Sequence, residues 1–342
     1  MNYRFLGRTG MLVSDVSFGV MTFGGKGFWE AIGKVEQEGV NALIKTGFDG
    51  GINFFDNANA YSLGEAETLF GNAIRSLGLS RQELVIATKA RLRQGKGVNQ
   101  VGLSRLHLMD AVNDSLKRMN IDHIDLFYIH GVDAHTPIDE TMRGLEDIVR
   151  SGKVRYLGCC NLMAWQVMKA NGISDKHGWT RFEALQDYYS IASRDVEREI
   201  APLALEEHLS LLPWSPLAGG LLSGKFTRDN QKGDGGRRAN FDFPPVDKEK
   251  AFNVIDELIA VGNARGVSAA QIAIAWLLHQ RAVTSVIVGA KTPEQLTDTM
   301  SASALKLSDE ELKRLNAVSA LTKEYPEWMI ERQAADRFVK QD

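Results

Sequence analysis

Short apolar runs alternate along this chain with longer segments whose apolar side chains return every three or four positions. The runs fall at residues 16–20, 52–55, 84–89, 124–130, 154–160, 182–186, 209–214 and 284–288. Being apolar at consecutive positions, they predict strands buried on both faces. Between them lie helical stripes: Val35, Val40, Leu43 and Ile44; Ala66, Leu69, Phe70, Ala73, Ile74 and Leu77; Leu106, Met109, Val112, Leu116 and Met119; Ile138, Met142, Leu145, Ile148 and Val149. Further helices are expected from Ala164, over 196–208, 248–264 and 269–280, and from Thr292. Eight strands alternating with helices predict an α/β fold, a (β/α)8 TIM barrel closed on itself rather than an open sheet.

Other segments depart from the repeat. Residues 1–14 read as an N-terminal hairpin about Gly7-Arg8-Thr9-Gly10, and Ser308-Asp309-Glu310-Glu311 as the cap of an extra C-terminal helix. Residues 215–246, rich in Gly, Arg, Asp and Pro, predict a long loop, and 325–342 a tail without clear assignment. Loops of that length inside a compact domain are usually functional or disordered. No low-complexity linker divides the chain, so residues 1–342 read as one domain.

Composition changes this picture little. A net charge of −3 gives no reason to expect nucleic acid or a membrane surface as partner. The two cysteines are adjacent, Cys159 and Cys160, and point to opposite faces of a strand, which suits free thiols in a reducing cytoplasm.

Chemistry enters where the strands end. Three consecutive strands finish on Asp56, Lys89 and His130, and Tyr61 follows on the loop after the first of them. In a parallel barrel those tips share the carboxyl-terminal mouth, where reactions are carried out. A tyrosine can donate a proton near neutrality only if its neighbours perturb a pKa of about 10. An ammonium beside the phenol is expected to lower that pKa, the carboxylate to hold the ammonium, and the imidazole to relay a proton or orient a carbonyl oxygen. A metal site among His123, His130 and His135 is not expected, because His123 lies at the other end of its strand. The run Gly219 to Lys225 nearly spells a phosphate-binding P-loop, but Phe226 stands where the hydroxyl is needed.

The contexts Phe-Asp-Asn-Ala-Asn-Ala-Tyr, Val-Ile-Ala-Thr-Lys and Asp-Leu-Phe-Tyr-Ile-His resemble those of the aldo-keto reductases, over Leu6 to about Leu321. The style is that of bacterial members and of the potassium-channel β-subunit branch. The resemblance implies a catalytic tetrad of Asp56, Tyr61, Lys89 and His130. It implies a barrel that binds NADP(H) and reversibly reduces a small-molecule aldehyde or ketone. Asn161 and Gln186 would hold the nicotinamide amide with Cys160, a thiol where the family usually has a serine. Trp214 would stack on the ring, with Ser215, Pro216 and Leu217 following it. Val20, Met21 and Asp56 would also border the cofactor.

The resemblance extends to the phosphates. Gly219, Lys225 and Arg238 would lie along the pyrophosphate. Gly289, Lys291 and Thr292, with Gln295, Asp298 and Thr299, would take the adenosine end and its 2′-phosphate. Many members carry Arg where Gln295 stands and Asn where Thr299 stands. Phe28, Trp29, Phe241 and Trp328 are expected to line an apolar substrate pocket suited to aromatic or ring carbonyls. A competing reading keeps the barrel and cofactor but makes the chain a nucleotide-sensing subunit with little turnover. The oligomeric state is left open.

Overall fold

The computed structural model describes residues 1–231, 238 and 241–334. Parts of the expected 215–246 loop (232–237, 239 and 240) and of the expected tail (335–342) lie outside the described residues.

The first two strands, β1 (Tyr3–Phe5) and β2 (Leu12–Ser14), pair antiparallel as the expected hairpin. Then come β3 (Val16–Gly19), β4 (Phe54–Asp56), β5 (Val85–Ala90), β6 (Ile124–Ile129), β7 (Val154–Cys160), β8 (Phe182–Gln186), β9 (Ser210–Leu211) and β10 (Val286–Val288). These eight form one parallel sheet in the order β10-β3-β4-β5-β6-β7-β8-β9. The two end strands are joined as well. Leu211 bridges Val283, Thr284 N–H donates to Leu211 O at 2.9 Å, and Ile287 N–H donates to Pro213 O at 3.0 Å. The eight strands therefore curl into a (β/α)8-type barrel.

Helices follow the strands in turn: α1 (Gln37–Asp49), α2 (Glu65–Ser76), α3 (Arg105–Met119), α4 (Ile138–Arg150), α5 (Ala164–His177) and α6 (Ile200–Glu206). After β9 come α7 (Lys248–Arg265) and α8 (Ala269–Leu278), and after β10 come α9 (Pro293–Met300), α10 (Asp309–Val318) and α11 (Glu327–Ala334). The extra helix α10 opens with the expected capping box, Ser308 and Glu311 each accepting from the other's backbone N–H. Three expectations shift. Val35 is not in α1 but bridges Phe23; the seventh strand shrinks to two residues; and part of the tail forms α11.

Strand alternation sorts the core into two layers. Phe55, Ile86, Phe127 and Leu185 pack outward against the helices. Phe54, Val85, Ala87, Leu126, Tyr128, Ala184 and Cys160 point into the barrel, where Leu6 and Val13 of the hairpin join them. The hairpin thus seals the amino end. Gly7 N–H donates to Ser210 Oγ at 2.7 Å, and Arg4 donates to Val283 O at 2.6 Å. Because side chains alternate with a period of two, each interior strand series continues to its carboxyl tip: Phe54 to Asp56, Ala87 to Lys89, Tyr128 to His130, Ala184 to Gln186. Polar groups therefore crown an apolar column, all at one mouth.

Candidate active site

Lys89 is fully buried and Asp56 nearly so, and they form a direct ion pair, Nζ to Oδ1 2.5 Å. The ammonium also donates to Asn57 O at 2.7 Å and reaches the Tyr61 hydroxyl at 3.5 Å. The second Asp56 oxygen accepts from Gln186 Nε2 at 2.8 Å. A buried charge is tolerable only when paired and hydrogen-bonded, and both conditions are met here. Burial would push the Lys89 ammonium toward neutrality, but Asp56 and Tyr61 outweigh it, and its pKa ends above the ordinary value.

Tyr61 corrects one expectation. Its pKa is raised, not lowered: burial is the largest effect, and the Lys89 charge offsets only part of it. The phenol is thereby kept protonated, ready to donate. His130 is pushed well below the ordinary histidine value, first by burial and then by Lys89 and Arg91. It is a neutral imidazole near neutral pH, suited to donating a hydrogen bond rather than storing a proton. Its ring stands edge-on to Tyr61, centroids 5.9 Å apart, and its buried Nδ1 has no protein partner among the described residues.

The turn carrying Tyr61 is strained. Ser62 and Leu63 both adopt left-handed backbone, φ 49° and 57°. Such conformations cost about 1–3 kcal/mol each and tend to gather at functional sites. Ser62 Oγ, donating to Phe23 O at 2.7 Å, ties the turn to the loop after β3. On the neighbouring helix α2, fully buried Glu67 accepts from Thr88, beside Lys89, at 2.5 Å and from Arg118 at 2.6 Å. This brace had no sequence signal, since Glu67 reads as an ordinary acid in the first turn of a helix.

Aromatic rings wall the mouth. Tyr61 meets Trp29 (5.1 Å between centroids), Trp29 meets Phe28 (5.6 Å), and Phe28 meets Phe241 (5.2 Å). The chain continues through Phe243 (5.5 Å) to Trp214 (5.9 Å) and Tyr188 (5.0 Å). Phe243 and Tyr188 were not anticipated. Trp328 instead pairs with Tyr325 on the α11 side.

The residues matched to cofactor contacts fall into two groups. Around the mouth, Cys160 points inward with its thiol held neutral by burial, and Gln186 gives one of its two amide N–H donors to Asp56. Asn161 has left-handed backbone (φ 56°) and accepts from the Trp214 indole at 3.0 Å, which leaves its Nδ2 without a protein partner among the described residues. Val20 N–H donates to Asp56 O at 3.0 Å, and Met21 is half-buried beside it. Ser215 has φ 50°, and Pro216 and Leu217 lead from it into a tight turn at 218–223.

Toward the rim, exposed Lys225 and Lys291 have no carboxylate partner among the described residues. A cleft of about 1180 Å3 opens between residues 27–39 and Lys291, with Phe28 on its wall. Gly289 lies beside Gly19, and Thr292 caps α9 by accepting from Gln295 N–H. Gln295 Oε1 accepts from Lys291 N–H at 2.9 Å. Asp298 is held by Ser268 and Gln271, and the Thr299 hydroxyl bonds back into its own helix. Arg238 is engaged by its own loop, donating to Ala218 O and to Pro244 O (2.9 Å) and pairing with Asp242 (2.8 Å). Gly219, at φ 69°, is required there, because a Cβ would come 2.3 Å from Phe243 O.

A parallel eight-stranded barrel with a buried carboxylate–ammonium pair, a protonated phenol and a neutral imidazole at its carboxyl mouth has the make-up of an oxidoreductase acting on carbonyl groups. The chain belongs to the aldo/keto reductase family, whose pattern it matches over residues 15–320. It is similar to "aldo-keto reductase AMT2" of Alternaria alternata, 35% identical over 340 residues, with 92% of this chain and 90% of that one covered. It is also similar to "versiconal hemiacetal acetate reductase" of Aspergillus parasiticus, 33% identical over 337 residues, covering 92% and 96%. A third relative, "probable voltage-gated potassium channel subunit beta" of Oryza sativa, is 35% identical over 308 residues, covering 88% and 91%. These relatives come from fungi and a plant, so they do not single out a bacterial branch.

Proposed function

We propose that this chain is an NADPH-dependent, reversible carbonyl reductase of the cytoplasm, folded as one domain. A nicotinamide dinucleotide, when bound, supplies the hydride that reaches the carbonyl carbon. Tyr61 gives its proton to the carbonyl oxygen. Lys89 stabilises the phenolate left behind, and Asp56 holds Lys89 in place. Neutral His130 donates a hydrogen bond that orients the oxygen. Asn161 and Cys160 would hold the carboxamide, Trp214 the ring, and Lys225 the pyrophosphate. Lys291, at the start of α9, would take the 2′-phosphate. The fit rests on the free Nδ2 of Asn161 and the two cations without carboxylate partners. The aromatic wall from Trp29 to Phe243 favours aromatic or ring carbonyls over sugars.

The observation that carries this reading is the buried Asp56–Lys89 pair within reach of the Tyr61 hydroxyl. The test is NADPH and NADH oxidation against aryl aldehydes, ring ketones and sugars. Turnover with the first two classes supports it; cofactor binding without turnover on any of them overturns it. That second outcome would favour a nucleotide-sensing subunit, the reading toward which the plant relative's name points.

A further inference from the structure

A closed circuit of hydrogen bonds links the carboxyl ends of β7, β8 and β9. The Asp187 carboxylate, one residue past β8, accepts from Asn161 N–H at 2.9 Å. The Asn161 side chain accepts from the Trp214 indole at 3.0 Å, and Trp214 N–H returns to Asp187 O at 3.0 Å. Asp187 is only 7% exposed, and the Asn161 backbone N–H is the one hydrogen-bond donor to its carboxylate among the described residues. Asn161 sits in left-handed backbone, which asparagine adopts more readily than other non-glycine residues, and the bond from its N–H to Asp187 fixes it there. We infer that Asp187 is a positioning residue for the cofactor, fixing Asn161, and through it Trp214, in the geometry that receives the nicotinamide ring.

The inference rests on the reading of Asn161 and Trp214 as nicotinamide-holding residues. A buried carboxylate is a costly way to hold one N–H, since an ionised group must be stripped of water. What the charge adds is strength, because a bond to an ionised acceptor is roughly twice as strong as a neutral one. Burial pushes the Asp187 carboxyl up to about 7, against the opposing pull of the Asn161 N–H. The titratable groups facing it are the Cys159 and Cys160 thiols on β7, both kept neutral by burial, while β9 and its following loop present Trp214 through its backbone. With so little opposing charge, the hold on Asn161 slackens as pH falls through neutrality.

The test compares the full chain with Asp187→Asn, which keeps an acceptor oxygen but cannot titrate, and with Asp187→Leu, which removes it. NADPH dissociation constants are measured from pH 5.5 to 8.5, and Trp fluorescence is titrated without cofactor. The wild type should lose about fivefold in NADPH affinity between pH 8 and 6 beyond any loss in Asp187→Asn, whose profile retains only the titration of the 2′-phosphate. Asp187→Leu should bind about tenfold more weakly than wild type at pH 8. The cofactor-free wild type should show a fluorescence transition near pH 7 that is absent from both Asp187→Asn and Trp214→Phe. Superimposable binding profiles for wild type and Asp187→Asn, or a transition that survives in Asp187→Asn, would overturn the inference. If NADPH does not bind while the fluorescence transition behaves as stated, the circuit stands and the cofactor reading fails.

Discussion

Lys89 Nζ lies 3.5 Å from the Tyr61 hydroxyl, at the outer limit of a hydrogen bond, with its ammonium also 5.2 Å from the centre of the tyrosine ring. The charge is close enough to stabilise a phenolate as it forms, yet too weakly engaged to ionise the buried phenol beforehand. Tyr61→Phe keeps the ring against Trp29 and His130 and removes only the hydroxyl group. Carbonyl reduction should fall about 10²–10⁴-fold, the usual contribution of a positioned acid, with NADPH affinity unchanged. Steady-state turnover alongside a binding titration checks both parts; a mutant retaining a tenth of the wild-type kcat would point to another donor.

Removing the ammonium tests the other partner. Lys89 lowers a Tyr61 pKa that burial has raised, so in Lys89→Met that pKa must climb further. In alcohol oxidation, which needs the phenolate, the rise of kcat with pH should move to more alkaline values and the plateau should drop. Among the described residues the variant also leaves the buried Asp56 carboxylate with Gln186 as its one side-chain partner, and breaking a buried pair costs about 3–5 kcal/mol. A lower melting temperature is expected too, but only the displaced pH profile reports coupling to the phenol.

Gly24 holds the turn beyond Tyr61 from the opposite side. A Cβ there would come 2.8 Å from Ser62 Cβ and 2.7 Å from Glu65 Oε2, at φ +77°. Gly24→Ala should displace the Ser62 turn and cut kcat about 10²-fold, the scale of a 1 Å misplacement of reacting groups. Gly78→Ala is the control. It has the same left-handed backbone, φ +64°, but nothing within 4 Å of an added Cβ, so it should lose about 1 kcal/mol of stability and no activity.

Lys291 should set the choice of dinucleotide. A charge-assisted bond is worth about 1.5–3 kcal/mol, and Gln295, engaged with the Lys291 backbone, adds no charge. Lys291→Ala should weaken NADPH binding at least about tenfold and leave NADH nearly untouched. Paired dissociation constants decide it: equal losses for both cofactors would place the 2′-phosphate elsewhere.

Much of this was legible in the chain, for a physical reason. Strands buried on both faces announce themselves as apolar runs, and a tip residue such as Asp56 or Lys89 stands out as the one charge ending such a run. The seventh strand was harder to delimit, because its pairing depends on closure between Leu211 and Val283 rather than on its own composition. Burial was invisible locally. Glu67 and Asp187 look like surface acids until α2, α3 and the ends of three strands are assembled around them. The same holds for the Tyr61 pKa: the neighbouring Lys89 could be anticipated, but the extent of desolvation could not. Arg238 reads as a phosphate ligand in a Gly/Arg-rich loop, and composition gave no sign of its bonds within that loop to Ala218, Pro244 and Asp242.

The hairpin that floors the barrel ties residues 301 and 279 positions apart, Asn2 to Ser303 and Arg4 to Val283. Contacts of such high sequence separation slow folding, because a long loop must close before any of them forms. During synthesis, Leu6 and Val13 leave the ribosome before the strands they will cover. Until β9 and β10 are made, β3 and β8 each lack a partner strand on one side, and the hairpin's bonds to Ser210 and Val283 cannot form. Unpaired edges and exposed apolar surface of this kind promote aggregation, and expression at low temperature or with added chaperones should raise the soluble yield of this protein.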